Sequence, residues 1–95
     1  MKVRFTSAAD RQLATILSEL DEVSPQGARN VARRVDETVR LIADQPRASR
    51  RTGRQLYRRP VVPFPYVVFY RITDEAVVIV GILHGARGPK DMPDA

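Results

Sequence analysis

The sequence predicts an α+β fold in two layers, in which an antiparallel helical hairpin packs on an antiparallel sheet. Three observations predict this fold class. A short alternating segment opens the chain, two segments with helical apolar periodicity follow it, and strand-like segments fill the second half. The predicted order is β-α-α-β-β-β. With 95 residues, the chain is expected to form a single domain, residues 1–95.

The first predicted elements are a strand and a helix. "KVRFT" places Val3 and Phe5 on one side and basic residues on the other, which is typical of a short, half-buried strand at a sheet edge. Thr6 or Ser7 is a suitable cap for a helix that follows. The apolar residues of that helix recur at spacings of three and four: Leu13, Ile16, Leu17 and Leu20.

A second helix is predicted after "DEVSPQG". Ser24 is a suitable cap, and Pro25 fits the first helical position because an N–H there has no intrahelical partner. The helix is expected to end before Pro46, about 30 Å further on at 1.5 Å per residue. Because the connection is short, the two helices form a hairpin. The apolar stripe of this helix is Ala28, Val31, Ala32, Val35, Val39 and Ile42.

Composition changes in "RASRRTGRQLYRR", Arg47 to Arg59, which holds six arginines and no acid. This segment is interpreted as a basic loop that turns at Gly53 and enters a strand from Gln55 to Arg59. "PVVPFP" follows with three prolines, which exclude a central strand and indicate a turn or a sheet edge.

Two strands with apolar residues on both faces come next, "YVVFYRIT" and "VVIVGIL", joined by the turn "TDEA". They predict the buried centre of the sheet. The helices cover one face of that sheet, and the face that carries the arginine-rich loop is where a target is expected to dock. The tail, residues 88–95, shows no periodicity and is expected to fray.

Composition narrows the function classes. The net charge is +5, and 14 of the 16 basic residues are arginine, which favours bidentate recognition of phosphates or carboxylates and hence an acidic partner. Without cysteine and with one histidine, no metal site or cofactor is expected. No apolar run is long enough to span a bilayer and no signal segment is apparent, so a cytoplasmic protein is expected.

His84 is the one side chain with an ordinary pKa near neutrality, so it is a candidate acid or base. The alternative is a structural histidine at the end of a strand, where simple alternation puts it on one face with Val78, Val80 and Ile82. Arg87, beyond the next turn, is placed to hold a phosphate, to cap a helix or to pair with an acid. No nucleophile and base stand at a recognisable spacing.

The arginine cluster is the stronger signal, because each neutralised phosphate adds salt-dependent affinity; the alternative is a solvated loop. The tyrosines at positions 57, 66 and 70 either stack on bases or belong to the core. The candidate residues for binding a target or a nucleic acid are Arg50, Arg51, Arg54, Arg58, Arg59 and Arg87.

The segment "PFPYVVFYRITDEAVVIVGILHGAR" resembles the RelE/ParE superfamily of type II toxins, and its ParE branch in particular. In that branch a "YPYVIFYR" strand, an acidic turn and a closing "LHGAR" recur together. The similarity is dense from about Gln55 to Arg87, and the helical hairpin has the family's order. The fold that the resemblance implies agrees with the one derived from the residues.

The resemblance implies a toxin that inhibits DNA gyrase by binding, with no catalytic residue, and that is neutralised by a cognate, ParD-like antitoxin in a hetero-oligomeric complex. The alternative is a ribosome-dependent, metal-independent mRNA endoribonuclease of the RelE type. The residues of that alternative are Arg58, Arg71, His84 and Arg87. Pro60, Val67 and Pro93 stand where that branch has a lysine, an arginine and a tyrosine, which favours the first interpretation.

Overall fold

A computed structural model describes residues 1–53 and 55–85, and it confirms the α+β class. Within these residues, two helices and five strands follow one another. Their bounds are β1 Lys2–Phe5, α1 Ser7–Val23, α2 Pro25–Asp44, β2 Arg50–Thr52, β3 Leu56–Pro60, β4 Tyr66–Ile72 and β5 Ala76–His84.

Both helices begin at the predicted caps. The Oγ1 atom of Thr6, rather than Ser7, accepts a hydrogen bond from the N–H of Ala9 at 3.1 Å. The Oγ atom of Ser24 accepts one from the N–H of Gly27 at 3.0 Å, and Pro25 occupies the first turn of α2. These bonds satisfy N–H groups that have no intrahelical partner, and the connection between the helices is as short as predicted.

The strands form one sheet in the order β1-β5-β4-β3-β2. The long apolar strands β4 and β5 lie inside it, as predicted. Three details of strand pairing and strand bounds differ from the prediction. β2 is an additional strand within the segment interpreted as a loop, and β1 pairs with β5 in parallel, so that the sheet is mixed. β3 begins at Leu56 rather than Gln55, because Gln55 has a φ of 62° and cannot continue an extended strand.

The helices pack on one face of the sheet, which we call the helix-side face. Leu13, Ile16, Leu17 and Leu20 of α1 are partly buried there, and Val31, Val35 and Ile42 of α2 are fully buried, so the predicted stripes are confirmed. The core residues from the strands and from the β3–β4 connection are Tyr57, Val61, Val68, Tyr70, Val77, Ile79 and Ile82.

The opposite face, which we call the outer face, carries a second buried cluster formed only by strand residues. Both faces of β4 and β5 are therefore apolar and buried, as their sequences predict. The cluster consists of Leu56, Val67, Phe69, Val78, Val80 and Leu83.

A β-bulge in β5 corrects the predicted face of His84. Phe69 pairs with Gly81 and Tyr70 with Ile79, so Val80 is an extra residue. One extra residue reverses the alternation beyond it. Val78 and Val80 consequently face outward, whereas Ile82 and His84 lie on the helix-side face.

The two predicted turns lie at the two ends of β4. Val61 to Pro65 connect β3 to β4, with the N–H of Val61 donating to the carbonyl of Tyr66 at 2.9 Å, and the Val62–Pro63 peptide bond is cis. At the other end of β4, the N–H of Thr73 donates to the carbonyl of Ala76 at 2.8 Å.

Candidate functional site

The predicted arginines divide between the two faces of the sheet. Arg50 of β2 lies directly opposite Arg58 of β3 on the outer face, because Arg58 pairs on its other side with the outward-facing Phe69. Arg71 of β4 pairs with Val78 and faces the same way. The structure therefore brings three of the candidate arginines to one face.

Arg51 and Arg59 lie on the helix-side face. The guanidinium carbon of Arg51 lies 5.5 Å from the centroid of the Tyr57 ring, a cation–π contact. Tyr57 in turn stacks on Tyr70, with centroids 5.2 Å apart and planes inclined by 12°. Arg59 donates from Nη1 to the Oγ atom of Ser49 at 3.5 Å.

Tyr70 fixes this stack to the body of the protein. Its side chain is fully buried, and its hydroxyl donates to the carbonyl of Pro46 at 2.6 Å. Burial raises the pKa of the Tyr70 phenol, an effect that the hydrogen bond with Ser49 and the charge of Arg59 partly oppose. Tyr57 and Tyr70 are thus core residues, and they hold Arg51 and β2 in place.

Positive charge is concentrated in the strands. They carry two basic residues each in β1, β2 and β3 and one in β4, seven in all, and no carboxylate. Within residues 1–53 and 55–85, both ion pairs lie on α2: Arg34 with Glu37 and Arg40 with Asp36.

Arg50 and Arg58 are consequently like charges facing each other across two strands. Directly opposed like charges destabilise a sheet, by up to about 1 kcal/mol. An anion bound between the two guanidinium groups would remove this repulsion. Arg50 is exposed and Arg58 is half-buried, so both are accessible to such a ligand.

His84 lies in a groove of about 770 Å³ between α1 and the ends of β4 and β5. Its ring meets the ring of Tyr66 edge to face, with centroids 6.2 Å apart. It is on the face of the sheet opposite to Arg58 and Arg71, so the structure does not bring these three predicted residues together. Groove residues contributed by α1 are Ala8, Arg11, Gln12, Thr15, Ile16 and Glu19.

Two predicted site residues, Arg54 and Arg87, lie outside the described residues. The same holds for Pro93 and for the tail, residues 88–95, that is predicted to fray.

The described part of the chain contains no group of three or more His, Cys, Asp or Glu side chains that could hold a metal ion. None of its helices combines the length and the apolar character needed to cross a bilayer.

One contact that joins α1 to the sheet is not evident from the sequence. The side-chain oxygen Oε1 of Gln12 accepts a hydrogen bond from the N–H of Ile82 at 2.9 Å. This N–H follows the bulge, and β1 pairs only with Ala76 to Ile79. The side chain of Gln12 thus takes the place of a strand carbonyl beyond the end of β1. The one signal in the sequence that indicates a bulge there is Gly81, a glycine within a strand.

Comparisons with known proteins agree with this architecture. A sequence model of the family described as "ParE toxin of type II toxin-antitoxin system, parDE" matches residues 3–89. The chain is 34% identical over 86 residues to "Toxin RelE2" of Caulobacter vibrioides, covering 90% of this chain and 97% of that protein. Its fold is similar to a structure titled "Chromosomal ParDE TA system from P. aeruginosa", with a TM-score of 0.78, 17% identity, and 88% of this chain and 95% of that chain covered. The chain belongs to the family of ParE toxins of type II toxin–antitoxin systems.

Proposed function

We propose that this toxin inhibits DNA gyrase by binding to it, and that a cognate ParD-like antitoxin neutralises the toxin in a hetero-oligomeric complex. The observation that carries the proposal is the match to the ParE family over residues 3–89, which is nearly the whole chain. In this proposal the protein is not an enzyme and needs no cofactor. Its proposed compartment is the cytoplasm, where gyrase acts on the chromosome.

The outer face supports binding rather than cleavage of RNA. Pro60 and Val67, which stand where the nuclease branch has basic residues, pair with each other across β3 and β4. Both side chains are apolar, and Val67 is buried. A transition state with developing negative charge would lack these stabilising groups, and the loss of one such group typically costs about 3 to 4 kcal/mol of barrier.

The outer-face arginines are the proposed contacts with the target. Arg50, Arg58 and Arg71 have no carboxylate partner among the described residues. A complex of gyrase with DNA is rich in phosphates, which arginine recognises through two parallel N–H donors. Arg54 and Arg87 remain proposed contacts on the sequence argument alone.

A gyrase assay tests the proposal. Purified toxin is added to gyrase and relaxed plasmid for supercoiling, and to gyrase and supercoiled plasmid for cleavage. We expect inhibited supercoiling or linearised plasmid, weakened by the double variant Arg50→Gln/Arg58→Gln. Arg40→Gln, which changes an exposed arginine of α2, is the matched control and should act like the wild type. Gyrase that is indifferent to the wild-type toxin over a wide concentration range would refute the proposal.

A second candidate function is the ribosome-dependent mRNA endoribonuclease, because the relative with 34% identity is named Toxin RelE2. In a translating extract this function predicts toxin-dependent cuts in mRNA that His84→Ala abolishes. Extracts without cuts, from a toxin that still arrests growth, would exclude it.

The melting temperature of the toxin tests whether a cognate antitoxin binds and stabilises it. A partner that binds only the folded toxin raises its melting temperature by mass action. We therefore expect the complex to melt at a higher temperature than the isolated chain. Equal melting temperatures would count against a stabilising partner.

A further inference from the structure

Arg4 of β1 lies on the outer face of the sheet, far along the chain from the other arginines of that face. It pairs in parallel with Val78 of β5, and Arg71 of β4 pairs with the same valine from the other side. Side chains of paired residues point to the same face, so Arg4 and Arg71 flank the outward-facing Val78, with Cα atoms about 10 Å apart at a strand spacing of about 4.8 Å. Both arginines are exposed. β1 therefore adds a fourth arginine to the outer face.

The four arginines of the outer face extend from one side of the sheet to the other. Arg4 lies on β1 and Arg50 on β2, which come first and last in the order of the described strands. Arg58 of β3 and Arg71 of β4 lie between them. Four strand spacings of about 4.8 Å make this row about 19 Å long. Because duplex DNA carries one charge per about 1.7 Å of its axis, a stretch of that length offers about 11 phosphates to the row.

The accessible side chains of the outer face are mainly cationic. Its apolar cluster of six strand residues is buried, and each member is at most 4% exposed. The strand residues of this face that are not buried are Lys2, Arg4, Arg50, Thr52, Arg58, Pro60 and Arg71. Protein partners usually bind through apolar or aromatic anchors at the centre of an interface, whereas interfaces with DNA are polar and strongly positive. The outer face therefore suits a DNA backbone better than a protein surface.

We infer that the outer face binds the backbone of duplex DNA directly, through its four arginines, Arg4 of β1 included. The inference rests on the proposed function in that the DNA is the duplex on which gyrase acts. Each guanidinium group donates two parallel N–H bonds to one phosphate. Contacts with phosphates do not read the bases, so the binding is independent of base sequence and strongly dependent on salt.

The number of phosphate contacts sets the salt dependence of this binding. Lys2 is left out of the count, because its partner Ala76 follows the acidic residues Asp74 and Glu75 of the β4–β5 turn. Four contacts give log K against log salt a slope of about −3.6, so the affinity should fall about 150-fold from 50 to 200 mM salt. Removing two of the arginines should reduce the slope to about −1.8 and the loss to about 12-fold. The slope therefore measures how many arginines of the face contact DNA.

Binding to DNA alone tests the inference without gyrase. The full-length toxin is titrated into a fluorescently labelled short DNA duplex at several salt concentrations, and the anisotropy measures the affinity. The test variant is Arg4→Gln/Arg71→Gln. The matched control, Arg29→Gln/Arg33→Gln, removes the same charge from exposed positions of α2, which packs on the helix-side face. Single-stranded RNA of equal length and poly-glutamate are the other two probes.

We expect the wild type and the control variant to bind the duplex with the steeper salt slope, and the test variant with the shallower one. The single variant Arg4→Gln should reduce the slope by about 0.9, whereas Arg4→Lys, which keeps the charge, should leave it unchanged. A wild-type slope near zero, equal slopes of the test and control variants, or tighter binding of RNA or poly-glutamate than of the duplex would overturn the inference.

A measurement on the wild type covers the case in which a substitution disturbs the fold. DNA should shift the NMR signals of the Nε–H groups of Arg4 and Arg71 and leave those of Arg29 and Arg33 in place; unshifted signals of Arg4 and Arg71 in a toxin that binds DNA would contradict the inference. A toxin that inhibits gyrase without binding the duplex refutes the DNA contact and leaves the proposed function intact. A toxin that binds the duplex while gyrase is indifferent to it refutes the proposed function alone.

Discussion

Removing the hydroxyl oxygen of Tyr70 tests how β2 and its two arginines are held in place. In Tyr70→Phe the ring remains, but the hydroxyl that donates to the carbonyl of Pro46 at 2.6 Å is lost. Tyr70 is fully buried and its bond to Pro46 is part-buried, so the carbonyl loses its partner where the access of water is limited. Pro46 belongs to the connection between α2 and β2. Losing its hydrogen bond should therefore destabilise the chain next to Arg50 and Arg51.

The expected cost follows from the unsatisfied group. A buried acceptor that loses its donor costs about 1 to 3 kcal/mol. We take about 1.5 kcal/mol, which lowers the melting temperature of a domain of this size by roughly 6 to 12 °C. The matched control is Tyr66→Phe, because Tyr66 is half-buried and its hydroxyl makes no hydrogen bond within the described residues. The control should change the free energy of unfolding by no more than about 0.5 kcal/mol.

Alkaline pH gives an independent signature of the same residue. The pKa of Tyr70 in the folded protein lies above its ordinary value of 10.0, mainly because burial penalises the phenolate. The folded state therefore holds this proton more tightly than the unfolded state. The corresponding stability is complete below pH 10.0 and is lost as the pH rises through the raised pKa. The wild type should lose stability in that window more steeply than Tyr70→Phe.

Chemical denaturation of both variants and the wild type at neutral and alkaline pH measures the free energy of unfolding. Hydrogen exchange at the amides of β2 measures the local loss of stability next to Pro46. A Tyr70→Phe variant that is no less stable than Tyr66→Phe would contradict the role of the Tyr70 hydroxyl. The same holds for a variant whose stability declines above pH 10.0 as steeply as that of the wild type.

Three further substitutions test how the helices are capped and how they pack on the sheet. Gln12→Ala removes the acceptor of the Ile82 N–H and should cost about 1 to 2 kcal/mol, with faster hydrogen exchange at Ile82; unchanged exchange would contradict the role of this side chain. Ile42→Ala empties a fully buried site in α2 and should cost about 3 kcal/mol in urea unfolding, whereas Leu41→Ala, at an exposed neighbour, should cost far less; similar losses would be unexpected. Ser24→Ala removes the cap of α2 and should cost about 1 kcal/mol by thermal unfolding, and a neutral result would show that the hairpin connection is held by other contacts.

Features that depend on nearby residues were predictable from the sequence. Thr6 and Ser24 cap the helices through bonds that span three residues, and the spacing of the helical leucines and valines alone identifies the buried side. The apolar character of β4 and β5 likewise indicated the centre of the sheet. In these cases the local preference and the final packing agree.

What escaped prediction depends on distant partners. β2 reads RRT, which has no apolar alternation, and it is a strand because Tyr57 and Tyr70 provide the surface on which Arg51 lies. The bulge at Val80 reverses the faces of β5, and this separates His84 from Arg58. The face of each candidate side chain was therefore less predictable than the fold itself.

The charge on β2 also affects how copies of this chain behave toward one another. An open edge strand is a template for pairing with the same edge of a second molecule, the first step toward fibrous aggregates. When two β2 edges approach, Arg50 and Arg51 of one copy meet the same residues of the other, and the described strands offer no carboxylate to offset the repulsion. Salt shortens the range of this repulsion from about 10 Å at 0.1 M to about 3 Å at 1 M. The arginines thus oppose the pairing of two β2 edges, and concentrated salt weakens that opposition.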